Sequence, residues 1–278
     1  MALTTNDVIT EDFVRETVEE VLQENLVYRQ AFREISATGI QSNSYTFNID
    51  NDDMGSPSVV AEGEEFERDS SSVNQVTVTF KKYGGEVAIT MEAMEDGMID
   101  FKAREVEDLA RAMAEKLNDE AFTELDNNVD STVGDSDDVL TFSDIRDGMV
   151  AVRQNNYNPD LLIVDLDGYG DLLTDSNFNR ATESGDEVVA TGEVGQIAGM
   201  RVVVDNTRSI GTDEGGSDSD PKAGAFVIDT AHYGYELTRT PVSTNEYEDP
   251  ERQADIMQIF TRKAWKAIFP EAAVKVDA

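Results

Sequence analysis

Apolar residues recur at Ile99, Ala103, Val106, Leu109, Ala110, Met113, Leu117, Ala121, Phe122 and Leu125. Steps of three and four place them on one stripe of an α-helix over 99–125. At 1.5 Å per residue the rod is about 40 Å long, a spine for a chain of this size. Two runs before it alternate instead. Tyr45, Phe47 and Ile49 share one face of the first, and Val76, Val78 and Phe80 one face of the second. Period two predicts half-buried strands. Between them a polar stretch, 51–72, carries Asp52, Asp53, Gly55, Pro57, Gly63 and three serines. The pattern predicts a two-stranded arm over 45–82 with a wide tip. An isolated ribbon is marginal in water, so it is expected to find no partner in its own fold and to lie on a neighbouring copy.

The rest of the chain follows in order. Residues 1–10 read as a polar arm. Thr10 can cap a helix with Glu11 and Asp12 in its first turn, favourable at the positive end of the dipole. Phe13, Val14, Val18, Val21, Leu22 and Leu26 continue it at helical spacing, with an end expected near Ala37, Thr38 and Gly39. Gly84 and Gly85 are expected to break the arm and act as a hinge, and Val87 to Ile89 to resume a strand. A short helical turn is expected at 91–94. After Leu125 comes an acidic loop, DNNVDSTVGDSDD. A helix capped by Ser143 carries Ile145, Met149 and Val152. Leu161 to Val164 forms a continuous apolar run that reads as a buried strand, with a helix near 169–173. Val202 to Val204 and Ala225 to Ile228 read as buried strands around a surface loop, GTDEGGSDSDPKAG. Residues 256–276 alternate as strands broken at Phe269 and Pro270. The fold class is α+β, with a mixed or antiparallel central sheet.

Charge changes this picture most. The 278 residues hold 58 acids and 22 bases, a net charge of −36, spread along the chain; eight bases are Lys and fourteen Arg. A hydrophobic content of 39% with clear periodicity argues against disorder. Distributed acidity with few lysines is the pattern expected of a protein adapted to molar salt. There the Debye length is about 3 Å, against about 8 Å at physiological strength. In dilute buffer, self-repulsion opposes compaction and assembly. Only Lys81–Lys82 and Arg262–Lys263 are adjacent bases, so tight, direct DNA binding is not expected. There is no cysteine, which excludes disulfides and thiolate metal sites. The N-terminus lacks a basic region followed by an apolar run, so no secretory signal is expected. No run approaches 18 apolar residues, so no membrane span is expected.

Candidate chemistry is sparse. His232 is the only histidine, and neither GxSxG nor HExxH occurs, so it reads as structural. Gly168 and Gly170 follow a strand, but Leu173 stands where GxGxxG needs its third glycine. Asp165, Asp167 and Asp171 resemble a calcium loop, with Gly170 at the sixth position but Ser176 where Glu is needed. The acids at 135–138 and 213–220 can attract cations loosely. No ligand set stands out among so many acids, so the metal question stays open; no catalytic residue and no cofactor are expected.

The order of elements is more specific. The long β-excursion leads to VAITMEAMED and then the spine. NPDLLIVDLDGYGDLL, VGQIAGMRVVV, AGAFVIDTAHYGYELTR and IMQIFTRKAWKAIFPEAAVKV follow. This resembles the Hong Kong 97-type major capsid proteins of tailed viruses, a fold shared with encapsulin shells. With the acidity, it resembles those of viruses of halophilic archaea. The resemblance implies an N-terminal arm at 1–44 and an extended β-hairpin arm, the E-loop, at 45–82. It implies a peripheral domain at 83–129 and 247–278 and an axial domain at 130–246. It further implies a non-enzymatic subunit that self-assembles into hexamers and pentamers of an icosahedral shell. Such a shell encloses double-stranded DNA without binding it specifically, and is assembled in the host cytoplasm. Portal, scaffold and decoration proteins are implied partners; a membrane is not. Some members crosslink neighbours through a tip lysine; here 51–72 holds no Lys and only Arg68 as a base, so covalent crosslinking is not expected. No long scaffolding region is visible, which implies a separate scaffold or a trimmed chain. An encapsulin-type compartment and a soluble halophilic enzyme are the alternatives.

Overall fold

The computed structural model describes residues 27–50, 60, 73–92, 101–134, 139–174, 196–211 and 223–277. Residues 10–26 of the helix expected to end near Gly39, nearly all of the arm tip and the acidic loops expected at 135–138 and 213–220 lie outside them. A 3₁₀ turn (Tyr28–Ala31) opens the described chain. Strands β1 (Arg33–Ser36), β2 (Ser44–Asp50), β3 (Val73–Thr79) and β4 (Lys81–Thr90) come next, then helix α1 (Phe101–Asn127). There follow β5 (Ser131–Val133), α2 (Phe142–Gln154), β6 (Leu161–Asp165), α3 (Leu166–Thr174), β7 (Gln196–Ile197), β8 (Met200–Asp205) and β9 (Gly224–Ile228). The chain closes with β10 (Gly234–Asp249), β11 (Ala254–Ala267), a 3₁₀ turn (Pro270–Ala272) and β12 (Ala273–Asp277).

The strands form a four-stranded sheet, β1-β10-β11-β4, a six-stranded mixed sheet, β5-β12-β9-β6-β8-β7, and the separate pair β2-β3. The spine α1 joins the two larger sheets. Its stripe of Val106, Ala110, Met113, Ala114, Leu117, Ala121 and Leu125 packs in one cluster with Met257, Ile259 and Trp265 of the first sheet. Leu161, Ile163, Phe226 and Ile228 of the second belong to the same cluster. On the other face of the six-stranded sheet, Leu162, Val164 and Val227 pack with Ile145, Val152 and Leu172 of α2 and α3. Every residue of β6 and β9 is buried. Strands covered on both faces carry continuous apolar runs rather than alternation, which is how these two read in the sequence.

Several expectations are corrected. The helix predicted to end near Gly39 gives way by residue 33 to β1, which pairs in parallel with β10; long-range pairing overrides local helical spacing. Gly84 and Gly85 neither break a strand nor form a hinge, because β4 pairs with β11 throughout. They allow close approach: a Cβ on Gly85 would stand 2.7 Å from Leu109 Cδ1, and one on Gly84 3.0 Å from the Ile259 carbonyl oxygen. Lys81 and Lys82 therefore belong to β4 rather than to the arm. The acidic loop after the spine contains β5, which pairs with β12. Helix α2 starts two residues early. Its N-cap is Thr141, whose N–H donates to Asp144 Oδ2 at 2.9 Å.

Candidate assembly surface

The ribbon β2–β3 is antiparallel, with Phe47 opposite Val76 and Tyr45 opposite Val78. Alternation puts Thr46, Asn48, Gln75 and Thr77 on the other face, where the Thr46 and Thr77 hydroxyls lie 3.1 Å apart. The apolar face is fastened at its root to the chain's own sheet. Val78, Phe80, Ala37, Leu237 and Ala264 form a cluster with Tyr45, Phe47 and Tyr235 packed against it. Phe47 stacks on Tyr235 at 5.2 Å and 14°. The expectation of a ribbon without a partner in its own fold is thus wrong for the root, where aromatic burial is available within the chain. Farther out on this face, Ile49 and Val76 join none of the apolar clusters among the described residues.

Across the four-stranded sheet from the root lies a buried ion network. Glu236 of β10 is fully buried and accepts from Arg29 Nε at 2.6 Å and Lys263 Nζ at 2.5 Å. Arg29 also reaches Glu34 at 2.7 Å. Glu34 and Glu236 are register partners, so one guanidinium neutralises two neighbouring carboxylates. Burial disfavours the charged guanidinium, yet Glu236 and Glu34 hold the Arg29 proton more tightly than usual. No local spacing could have shown this site, whose members lie at positions 29, 236 and 263.

The lysines are consumed in the same way. Five of the six with described side chains pair inside the chain. Lys81 and Lys116 meet Glu120, Lys266 meets Glu124, Lys275 meets Asp126 and Lys263 meets Glu236. Glu124 and Asp126 sit in the last turn of α1, where a carboxylate opposes the helix dipole; lysines from β11 and β12 offset it. Burial raises the Glu120 carboxyl, but hydrogen bonds and charge from Lys81 and Lys116 outweigh it and hold it below the usual carboxylate range. A depressed folded value adds stability above the unfolded value, about 4.3, that is lost as pH falls through the folded value. The melting-temperature gap between wild type and E120Q should therefore be open at neutral pH and close below about pH 4; a gap that ignores pH counts against the pairing.

Most of the residues singled out for chemistry are engaged in hydrogen bonds or packing within the fold. Asp165 Oδ1 accepts from Gly168 N at 2.8 Å, and Oδ2 from Gly224 N at 2.9 Å and Ile210 N at 3.0 Å. Burial pushes its carboxyl above the usual range, and those backbone bonds pull it back. Asp171 accepts from Leu140 N at 3.1 Å, while Asp167 is exposed; the three acids do not converge. Among the described residues no group of three or more His, Asp or Glu could hold a metal. His232 Nδ1 lies 2.9 Å from Asp229 Oδ2, which also accepts from Asn158 N at 3.0 Å, and the nearby Thr230 hydroxyl is spent on Asp160 Oδ2 at 2.7 Å. Gly168 serves packing, since a Cβ there would meet Leu140 at 2.7 Å. Among the described residues no helix is long and apolar enough to cross a membrane.

Comparison with known proteins points the same way. The family model described as "Phage capsid protein" matches residues 74–276. Over 160 residues the chain is 26% identical to a major capsid protein of Staphylococcus phage phiMR11, and it spans 57% of that relative's length and 57% of its own. The structure described as "Asymmetric unit of bacteriophage PhiM1 mature capsid" superposes with a TM-score of 0.71 at 17% identity. The match covers 91% of this chain and 87% of that one. "Capsid structure of the Cyanophage P-SCSP1u" gives 0.72 at 12% identity, covering 91% and 88%. At such identities the likeness concerns the fold.

Proposed function

Because the chain belongs to the phage capsid protein family, we propose that it is the major subunit of a tailed-virus head, closing as hexamers and pentamers into an icosahedral shell around double-stranded DNA. Its fold is the α+β Hong Kong 97-type capsid fold. The observation that carries the reading is the ribbon. Its root is fixed by Phe47 on Tyr235, while the same apolar face runs outward through Ile49 and Val76. An arm anchored at one end adds interface to a neighbour without enlarging the core of its own chain. Heterologous contacts of this kind close into a shell only at the right curvature.

In this reading 1–44 is the N-terminal arm and 45–80 the E-loop. The peripheral bounds expected at 83–129 and 247–278 and the axial bounds at 130–246 are redrawn here along the sheets: 81–129 with β10 and β11 form the peripheral domain, and the six-stranded sheet, β12 included, the axial domain. The shell is held without covalent crosslinks, since 51–72 offers no lysine. Portal, scaffold and decoration proteins are its virion partners, and assembly takes place in the host cytoplasm. Both wall and genome are anionic, so DNA is retained by enclosure and counterions rather than by grip.

High salt belongs to the same reading. Most described lysines are spent on internal pairs, which leaves the outside to the acids of a −36 chain. Particles assembled in molar salt, then dialysed to about 0.1 M where the Debye length reaches about 10 Å, should dissociate when followed by sedimentation and electron microscopy. Shells that stay intact reject screening as the cause. Particles holding protein cargo instead of nuclease-protected DNA point to an encapsulin-type compartment, and a monomer by light scattering in high salt points to the enzyme.

A further inference from the structure

Three cations share the ribbon-bearing face of the four-stranded sheet, where the arm leaves it. Lys82 and Arg262 are cross-strand partners in the β4–β11 register. Arg239 lies in the irregular stretch of β10 beside Thr240, which pairs with Arg262. Like charges opposite each other on paired strands destabilise a sheet, and a chain with 58 acids has ample means to offset them. Yet among the described residues none of the three meets a carboxylate, whereas the other five described lysines all do. Glu86, on the same face of β4, stands about 13 Å along the strand from Lys82. It is engaged by Gln258 Nε2 at 2.9 Å.

The arginines reach one corner of the fold. The Phe80 N–H donates to the Asn43 carbonyl oxygen at 3.0 Å, which brings the two ends of the ribbon together. Arg262 Nη2 donates to Asn43 Oδ1 at 3.0 Å, and the Arg239 guanidinium stands 5.8 Å from the Phe80 ring. Arg262 Nε is buried without a partner, so the chain does not use up its donors. Lys82 Nζ lies on the flank, 5.1 Å from the Phe260 ring. We propose that Arg239 and Arg262, with Lys82 adding charge, bind a small multivalent oxyanion of the phosphate or sulfate type at the root of the arm. A planar guanidinium fork offers paired donors matched to two oxygens of such an ion, a geometry that chloride cannot use. A small ion is favoured over a polyanion because the surface beyond these cations belongs to a chain of −36, which repels the rest of a charged strand. Molar salt screens attraction beyond about 3 Å, while direct hydrogen-bonded contact survives it. Bound there, the ion links β10 and β11 beside both ends of the ribbon and offsets the repulsion between Lys82 and Arg262.

The site belongs to the single chain and does not depend on shell formation, so the unassembled full-length protein tests it. Melting temperature is followed in molar sodium chloride at neutral pH while inorganic phosphate is added at constant ionic strength. A site gives a saturating rise, about 3 °C or more at about ten times the dissociation constant. R239Q/R262Q should abolish the saturating part. R262K should lose most of it although the charge is kept, and K82Q should weaken affinity only a few-fold. Broadening of the phosphate phosphorus NMR signal by the wild type, absent with R239Q/R262Q, reads binding directly. If that double variant does not fold, R262K and K82Q carry the comparison. A rise that is linear in phosphate and equal in every variant is general solute exclusion and overturns the proposal, as does no rise at all. So does an R262K variant that binds as the wild type does, since charge without the fork then suffices. A short single-stranded oligonucleotide that binds at least about tenfold more tightly than phosphate, and loses that preference in R239Q/R262Q, also overturns it, because the patch is then a surface for nucleic acid.

Discussion

Glu236→Ala should destabilise the unassembled chain by about 3–5 kcal/mol, the cost of removing one partner from a buried ion pair. The carboxylate is fully buried and is the acceptor for both Lys263, whose side chain is 7% exposed, and Arg29. Its loss leaves two cations facing each other at the junction of β1, β10 and β11. Arg29 has an escape, since its side chain is 28% exposed and Glu34 lies within reach. Lys263 has none among the described residues, so most of the cost falls on it. That asymmetry makes a sharper prediction. Glu236→Leu combined with Lys263→Met removes both buried charges and keeps apolar volume, and it should cost much less than Glu236→Ala alone, as replacing a whole buried pair commonly does. Denaturant unfolding of the unassembled chain reads both. A Glu236→Ala cost below about 1 kcal/mol would mean that water reaches the network. A double variant as unstable as the single one would mean that the charges, not their pairing, are required.

The same network shows where the sequence is silent. The spine was legible because helical period and burial agree along Val106, Ala110, Met113, Leu117 and Leu125, and β6 and β9 because two covered faces leave no polar positions. Strand β10 was not. Its outer half, with Ser243, Asn245, Glu246 and Glu248, is too polar to show alternation, and register shifts near Thr240 and Pro241 interrupt the rest. The stretch 28–36 misled in the opposite direction. Tyr28, Ala31 and Phe32 fit a helical stripe, yet the chain turns extended to pair with residues about two hundred positions away. Of the assembly surface, the ribbon was readable as a pattern of period two. Its root contacts with Tyr235 and Leu237 depend on strand register, which composition does not encode.

Asp165→Ala should cost about 3–6 kcal/mol, through the backbone groups it leaves behind rather than through any chemistry of its own. An orphaned buried donor costs about 1–3 kcal/mol, and this carboxylate satisfies three, the N–H groups of Gly168, Ile210 and Gly224. The first bond caps α3, a role worth about 1 kcal/mol alone. The other two hold Ile210 and Gly224, on either side of residues 212–222, against the end of β6. The residue is 1% exposed, so water cannot replace it cheaply. Asp165→Asn should fall between wild type and alanine: an amide keeps one acceptor oxygen and turns the other position into a donor, and it loses either the cap or the loop pair. Hydrogen exchange then identifies which bonds matter. In Asp165→Ala, the amides of Ile210 and Gly224 should lose protection together with that of Gly168, because a single carboxylate ties all three. Loss at Gly168 alone would mean that Asp165 is a helix cap and nothing more. Retained protection at all three would mean that other groups hold the loop ends. The prediction also bears on assembly. This sheet carries what we propose as the axial domain, so a variant that loosens the loop ends while the spine stays protected should impair capsomer formation before it unfolds the chain.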